Sequence, residues 1–209
     1  MIVYDTQNQT WFDTGILSSR AGNELNALSA NVIDGVSYLA VSGSFKTNTI
    51  TCNPIALLNL STLTWNTLVH HFATGQYRTL VSDLLLDNSG IMYLGGLMYV
   101  TTGVPNGVVS TYYNQSSTTA IGKLTQTVDS IALYSDSATN NYIYASSQFS
   151  KKQGKLQGGL AVFPLNGGSA AAWAPAGSNL LFDYYLIGYI GPTSLLYQNG
   201  GKGLDGVND

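Results

Sequence analysis

Apolar residues in this chain gather in short blocks separated by polar turn residues. Four stretches share one layout: NALSANVIDGVSYLAVSGSF (26–45), VSDLLLDNSGIMYLGGLMY (81–99), DSIALYSDSATNNYIYASSQF (129–149) and LFDYYLIGYIGPTSLLYQNGG (181–201). Each has an apolar block, a turn, a second apolar block and then a pair of small residues. Asp34-Gly35, Asp87 to Gly90, Asp136 to Asn141 and Gly191-Pro192 occupy the turns. Residues of these types supply the positive φ that tight hairpins need, so each stretch is predicted to be a pair of antiparallel strands. No long segment repeats its apolar residues every 3.6 positions, which predicts very little helix. At most, residues 20–28 are expected to form one helical turn, against which Gly22 and two asparagines weigh.

The layout is periodic. Trp11, Trp65 and Trp173 are separated by 54 and 108 residues, one period and two. The small residues Gly43, Gly96, Ser147 and Gly200 follow one another at steps of 53, 51 and 53. Two independent markers with one period identify an internal repeat. After each small pair comes a polar loop and a further strand, IALLNLSTLTW (55–65), VVSTYYNQSST (108–118) and LAVFPLNGGSAAAW (160–173), and the opening IVYDTQNQTW (2–11) is the same element. One unit therefore holds about four strands, the content of a propeller blade.

The markers resemble the kelch repeat of the galactose-oxidase-like propellers. There a diglycine follows an apolar strand, and an aromatic, often followed by Asp, precedes a tryptophan by seven residues. Tyr4-Asp5 with Trp11 has that spacing, and Leu58-Asn59 with Trp65 keeps it with leucine for the aromatic. Phe163 and Trp173 are further apart, and Thr119 stands where the third copy would have its tryptophan. Gly43-Ser44-Phe45 followed by IALLNLSTLTW is also similar to the propeller repeats of fungal cell-surface cortical-marker proteins. The resemblance implies an all-β, kelch-like β-propeller of four-stranded antiparallel blades over residues 1–201, with units of about 2–54, 55–107, 108–157 and 158–201 and a polar tail at 202–209. Strands from the two ends would complete a four-bladed ring, or the chain would be the visible part of a larger one. The expected roles are structural. Trp11, Trp65 and Trp173 would fill the wedge between blades, each burial worth about 2–3 kcal/mol. Gly43, Gly96 and Gly200 would let neighbouring backbones approach closely.

Composition narrows the function classes. Charged residues make up 9% of the chain, against about 25% in an average soluble domain. Ser, Asn, Gly and Tyr take their place, with 21, 17, 23 and 14 copies, which suits a surface kept soluble by hydroxyls and amides. Net charge is −3, Arg20 and Arg78 are the two arginines, and no basic stripe for nucleic acid is present. Lys151, Lys152 and Lys155 form the longest basic cluster and read as a solvated loop. No apolar run reaches the ~20 residues of a helical membrane span. A single cysteine, Cys52, rules out an intrachain disulfide. Residues 1–10 do not read as a signal peptide.

Candidate chemistry is sparse. His70 and His71 are adjacent, so on a strand they point to opposite faces and cannot easily share a metal. A copper-radical site would need Cys52, tyrosines and histidines from distant blades, which the His70-His71 pair does not provide. Two arginines are too few for a sialidase-type carboxylate clamp. The recurring Asp34, Asp87 and Asp136 read as turn caps rather than calcium ligands. No catalytic residue, metal site or cofactor is expected.

Three N-x-S/T sequons, at Asn8, Asn59 and Asn114, fall in or beside the element leading to the tryptophan position. They are the expected N-glycosylation positions if the protein is secreted by a eukaryote. The expected function is a non-catalytic extracellular or cell-surface propeller that binds a protein or glycan through loops, 46–54, 99–108 and 150–158 above all. A fragment of a carbohydrate-active propeller enzyme and a structural subunit of a larger surface assembly are the alternatives.

Overall fold

The structure, a computed structural model, describes residues 1–5, 9–16, 24–52, 54–68, 79–101, 104–115, 117–122, 127–135, 141–147, 151–152, 155–156, 160–165, 171–173, 186–189 and 196–199. Among them every regular element is a strand and every sheet is antiparallel. β1 (Ile2–Asp5) and β2 (Thr10–Asp13) form a hairpin. β3 (Glu24–Ile33), β4 (Val36–Lys46), β5 (Thr51–Cys52), β6 (Ile55–Asn59) and β7 (Thr64–Thr67) make the first full sheet. In it β3, β4, β6 and β7 lie side by side, while β5 pairs with the far end of β4. The second sheet is β8 (Leu80–Leu86), β9 (Ile91–Thr101), β10 (Val104–Tyr112) and β11 (Thr118–Gly122), in that order. In the third, β12 (Val128–Ser135) and β13 (Asn141–Ser147) are followed by a small hairpin, β14 (Lys151–Lys152) with β15 (Lys155–Leu156), before β16 (Leu160–Pro164) and β17 (Ala171–Trp173) complete the order β12-β13-β16-β17. β18 (Leu186–Tyr189) and β19 (Leu196–Asn199) form a final hairpin.

The hydrogen-bonded unit runs from 24 to 67, 80 to 122 and 128 to 173. It starts partway into the units expected at 2–54, 55–107 and 108–157, because those were cut between the second and third strands. Residues 24–28 of the segment expected to turn helically are extended in β3. Glu24, Leu25, Ala27 and Leu28 favour helix by propensity, so it is the pairing with β4 that decides the matter.

Successive sheets stack face to face. Val3 and Ile16, from the β1–β2 hairpin and the residues after it, pack on Leu39, Val41, Phe45, Leu58 and Trp65 of the first sheet. The first sheet's other face, with Ala40, Ile55 and Leu57, packs on Leu84, Met92, Leu94 and Val109 of the second. The second sheet's other face, with Tyr93 and Val108, packs on Val128, Ile131, Ile143 and Phe163 of the third. Sheets covered on both faces need apolar side chains at every position of their central strands. That is why β6 reads Ile-Ala-Leu-Leu, with all four side chains buried.

First strands lie next to one another: β3 on β8, β8 on β12 and β12 on β18. Asn26 Nδ2 donates to the carbonyl of Val81 at 2.9 Å and Asn31 Nδ2 to that of Leu86 at 3.0 Å. Both pairs are 55 residues apart, so β3 and β8 run in the same direction. Ser29 Oγ accepts from the Leu86 amide at 2.9 Å. These side chains satisfy backbone groups that the edges of separate sheets would leave unpaired.

Candidate functional site

Three of the small pairs lie opposite a β-bulge. Leu25 faces Gly43 and Ala27 faces Ser42, leaving Asn26 as the extra residue. Val81 faces Gly96 and Asp83 faces Gly95, leaving Ser82. Val128 faces Ser147 and Ser130 faces Ser146, leaving Asp129. A bulge bends the strand and pushes the preceding carbonyl towards its partner. A Cβ on Gly43 would collide with the Glu24 carbonyl, and one on Gly96 with the Leu80 carbonyl. The close approach is therefore made by the bulged first strand of the same sheet. Gly200 lies outside the described residues.

The tryptophans occupy unlike surroundings. Trp65 is 8% exposed, edge-on to Phe45, and its Nε1 donates to the carbonyl of Thr14 at 2.6 Å. Trp11 is expected in the same wedge but is 70% exposed and lies tilted against Tyr4, its cross-strand partner. The difference has one cause. Trp65 faces the preceding hairpin, whereas the equivalent face of the β1–β2 hairpin, with Ile2, Tyr4 and Trp11, meets no described sheet. Trp173 ends β17 opposite Leu160, not opposite Phe163.

The bulges and small pairs mark one end of each full sheet. From this end, in each full sheet, the connection between second and third strands projects as a hairpin. β4 and β5 pair Phe45 with Cys52 and Lys46 with Thr51. β9 and β10 continue to the pair Thr101 with Val104, and Lys151 pairs with Leu156 in the third. The expected loops 46–54, 99–108 and 150–158 thus contain strand pairs rather than long irregular loops. Thr47 Oγ1 accepts from the amides of Thr49 and Ile50 at 3.1 and 3.0 Å, folding the first tip back on itself. Ile16 bridges to Thr47, so the end of the β1–β2 hairpin lies here too. Asp83 ties this end of the second and third sheets together. Its Oδ2 accepts from Ser130 Oγ at 2.9 Å and from the Ile131 amide at 2.8 Å. Sequence inspection gave Asp83, Asn26 and Asn31 no role; the available signal was their presence inside strands, where Asp and Asn are depleted.

The opposite end carries the turns and the sequons. Asp34 and Gly35 have φ of 51° and 78°, a two-residue hairpin turn. Asp87 Oδ1 accepts from the amides of Ser89 and Ile91 at 2.9 and 2.8 Å, which commits this carboxylate to its own turn. Asp136 lies outside the described residues. Asn59 ends β6, and its Oδ1 accepts from the amides of Ser61 and Thr62 at 2.9 and 3.1 Å. Asn114 is exposed in the β10–β11 turn. Asn8, outside the described residues, falls in sequence between β1 and β2, the same third-to-fourth-strand connection.

No group of three His, Cys, Asp or Glu that would hold a metal occurs among the described residues, and His70 and His71 lie outside them. Cys52 is buried, with Sγ 3.8 Å from the Gly43 carbonyl, and burial pushes its thiol up to about 12. Such a thiol is a poor nucleophile near neutrality. Burial, reinforced by the Asp87 carboxylate, pushes Tyr93 up to about 12 as well. Among the described residues no helix is long and apolar enough to cross a membrane. In comparisons with known proteins, the chain matches no family model and no curated sequence.

Proposed function

We propose that the stacked sheets are blades of a kelch-like β-propeller and that the protein is a non-catalytic recognition module at the cell surface or outside the cell. It would bind a protein or glycan through the hairpins at the end marked by the bulges. The observation that carries this reading is the placement of these hairpins. Rigid, doubly covered sheets present several short, polar projections from one end, the arrangement in which a scaffold holds contact loops. Sequons at the opposite end fit the same reading, because glycans there would leave the hairpins free. Screening the whole chain on a glycan array and by native mass spectrometry with candidate proteins tests it. Binding should disappear when the Asn48-Thr49 and Gln153-Gly154 tips are replaced by Gly-Ser, and survive Asn114→Gln. Binding indifferent to the tips, or glycan turnover by the isolated chain, would overturn the proposal.

A structural subunit of a larger assembly is a second reading, favoured by the uncovered Ile2, Tyr4 and Trp11 face. In a propeller another blade would cover that face; in an assembly another molecule would. Concentration-dependent sedimentation that Trp11→Ser abolishes supports the assembly, and a monomer at all concentrations rejects it.

A further inference from the structure

We infer that copies of this chain join head to tail, the β1–β2 hairpin of one docking on the third sheet of the next and pairing along its β19; this rests on the assembly reading above and specifies its joint. Three uncovered features need one and the same partner. The first is an edge. β1 bonds to β2 on one side and to no strand on the other among the described residues, whereas the third strands of the full sheets, β6, β10 and β16, each bond on both sides. A free edge of this kind is a template for another strand. The second is one side of β3. Ser29, Asn31 and Ile33 turn towards the second sheet. Alternation turns Leu28 and Val32 the other way, and they are 54% and 52% exposed. On that side the apolar contacts of the first sheet come from β4, β6 and β7, not from β3. The third is the uncovered hairpin face with Ile2, Tyr4 and Trp11.

A pair of first and second strands on the free edge of β1 would answer the first two needs, and the sheet behind that pair the third. β18 and β19 are such a pair. β18 stands beside β12 as β12 stands beside β8 and β8 beside β3. β19 bonds to β18 and to no other strand among the described residues. The sheet behind them is the third. Its Ile131, Leu133, Ile143 and Ala145 face the second sheet. Tyr134, Tyr142 and Tyr144 therefore face away from it, with the Tyr134 ring 6.3 Å from that of Tyr142 and 6.2 Å from that of Tyr144. Ile2, Tyr4 and Trp11 of the next copy would lie on this aromatic face, as Trp65 lies on the β1–β2 hairpin. β18 would then stand beside the next copy's β3, over Leu28 and Val32. The joint continues the stacking that already relates successive sheets. Within one molecule β18 lies against β12 and β13 while Leu28, Val32 and Trp11 stay exposed, so a second copy supplies the cover.

The repeat fixes the register of the joint. Leu58 lies opposite Trp65 on one side and Leu39 on the other. Tyr4 lies opposite Trp11, and Leu196 stands four residues before Gly200 as Leu39 stands four before Gly43. Tyr4 therefore meets Leu196, and Ile2 meets Gln198, as Ala56 meets Val41. Residues directly opposite on antiparallel strands have Cβ atoms about 4.5–5.5 Å apart, close to disulfide reach. The two surfaces are unlike, so the contact repeats head to tail rather than about a two-fold axis.

The test combines sedimentation of the unaltered full chain with disulfide trapping. Full-length Ile2→Cys protein is mixed with full-length Gln198→Cys protein under mild oxidation; Cys52 is buried and does not compete. The expected results are concentration-dependent sedimentation and a mixed disulfide that forms faster than any disulfide in either protein alone. Trp11→Ser and Leu28→Lys, both at exposed positions, should each weaken association about tenfold or more with the circular dichroism unchanged. Preferential linkage of Ile2→Cys protein to itself would mean a two-fold contact and overturn the inference. A chain carrying both cysteines that closes on itself at high dilution would also overturn it, because the hairpins would then meet within one molecule. Association that Trp11→Ser abolishes but that gives no mixed disulfide would defeat this joint and leave the assembly reading standing. A monomer at every concentration would defeat both.

Discussion

Cys52 illustrates how much one residue's behaviour depends on its surroundings. A lone cysteine in a polar stretch before Pro54 looks exposed and reactive. β5 instead folds it beneath β4, where its side chain joins Phe45 and Trp65. Its ordinary value of 9.0 is pushed up to about 12, and the 10.0 of Tyr93 likewise. The folded state keeps both groups neutral where the unfolded chain would ionise them, so the unfolded chain binds fewer protons above pH ~9. The stabilisation is complete below that pH and is lost as pH rises towards about 12. The midpoint of urea unfolding should therefore fall between about pH 8 and pH 11, with a smaller fall in Cys52→Ala. A thiol reagent should label Cys52 only in denaturant; rapid labelling of the native protein would contradict the burial.

The bulge opposite the small pair is the defining feature of the strand pair. Sequence spacing revealed that a small residue recurs, and a crowded neighbour was the expected reason. Which neighbour does the crowding depends on register. The carbonyls of Glu24 and Leu80 approach Gly43 and Gly96 because Asn26 and Ser82 are inserted two residues later. Gly96→Ala forces that bulge to rearrange and should cost about 2–3 kcal/mol of stability in urea titration. Ser89→Ala, at the exposed turn, should cost about 0.5 kcal/mol. Equal effects would show that the close approach does not constrain the sheet.

Between sheets, apolar faces supply most of the contact and a few polar groups set the alignment. Asp83 is the clearest case, since its carboxylate receives both Ser130 and the Ile131 amide of the neighbouring sheet. Asp83→Ala leaves that amide unpaired at a partly buried position and should destabilise the protein by about 1–3 kcal/mol. Ser130→Ala, which leaves the Ile131 bond in place, should cost less. Hydrogen exchange at Ile131 should quicken in Asp83→Ala; an unchanged rate would mean that the two sheets are held without it.

The strands themselves were legible in the chain: apolar blocks, turn residues and a period near 53 predict paired antiparallel strands, and these are what Val36–Lys46 and Ile91–Thr101 form. Local chemistry suffices there, because alternation and turn φ preferences act over a few residues. Contacts between units are another matter. Trp11 and Trp65 have the same local sequence role, yet one is exposed and the other buried, because burial depends on whether a further sheet lies opposite. The placement of the second-to-third-strand hairpins at one end is likewise invisible along the chain. It arises only when antiparallel pairing brings every second-to-third and fourth-to-first connection to the same side.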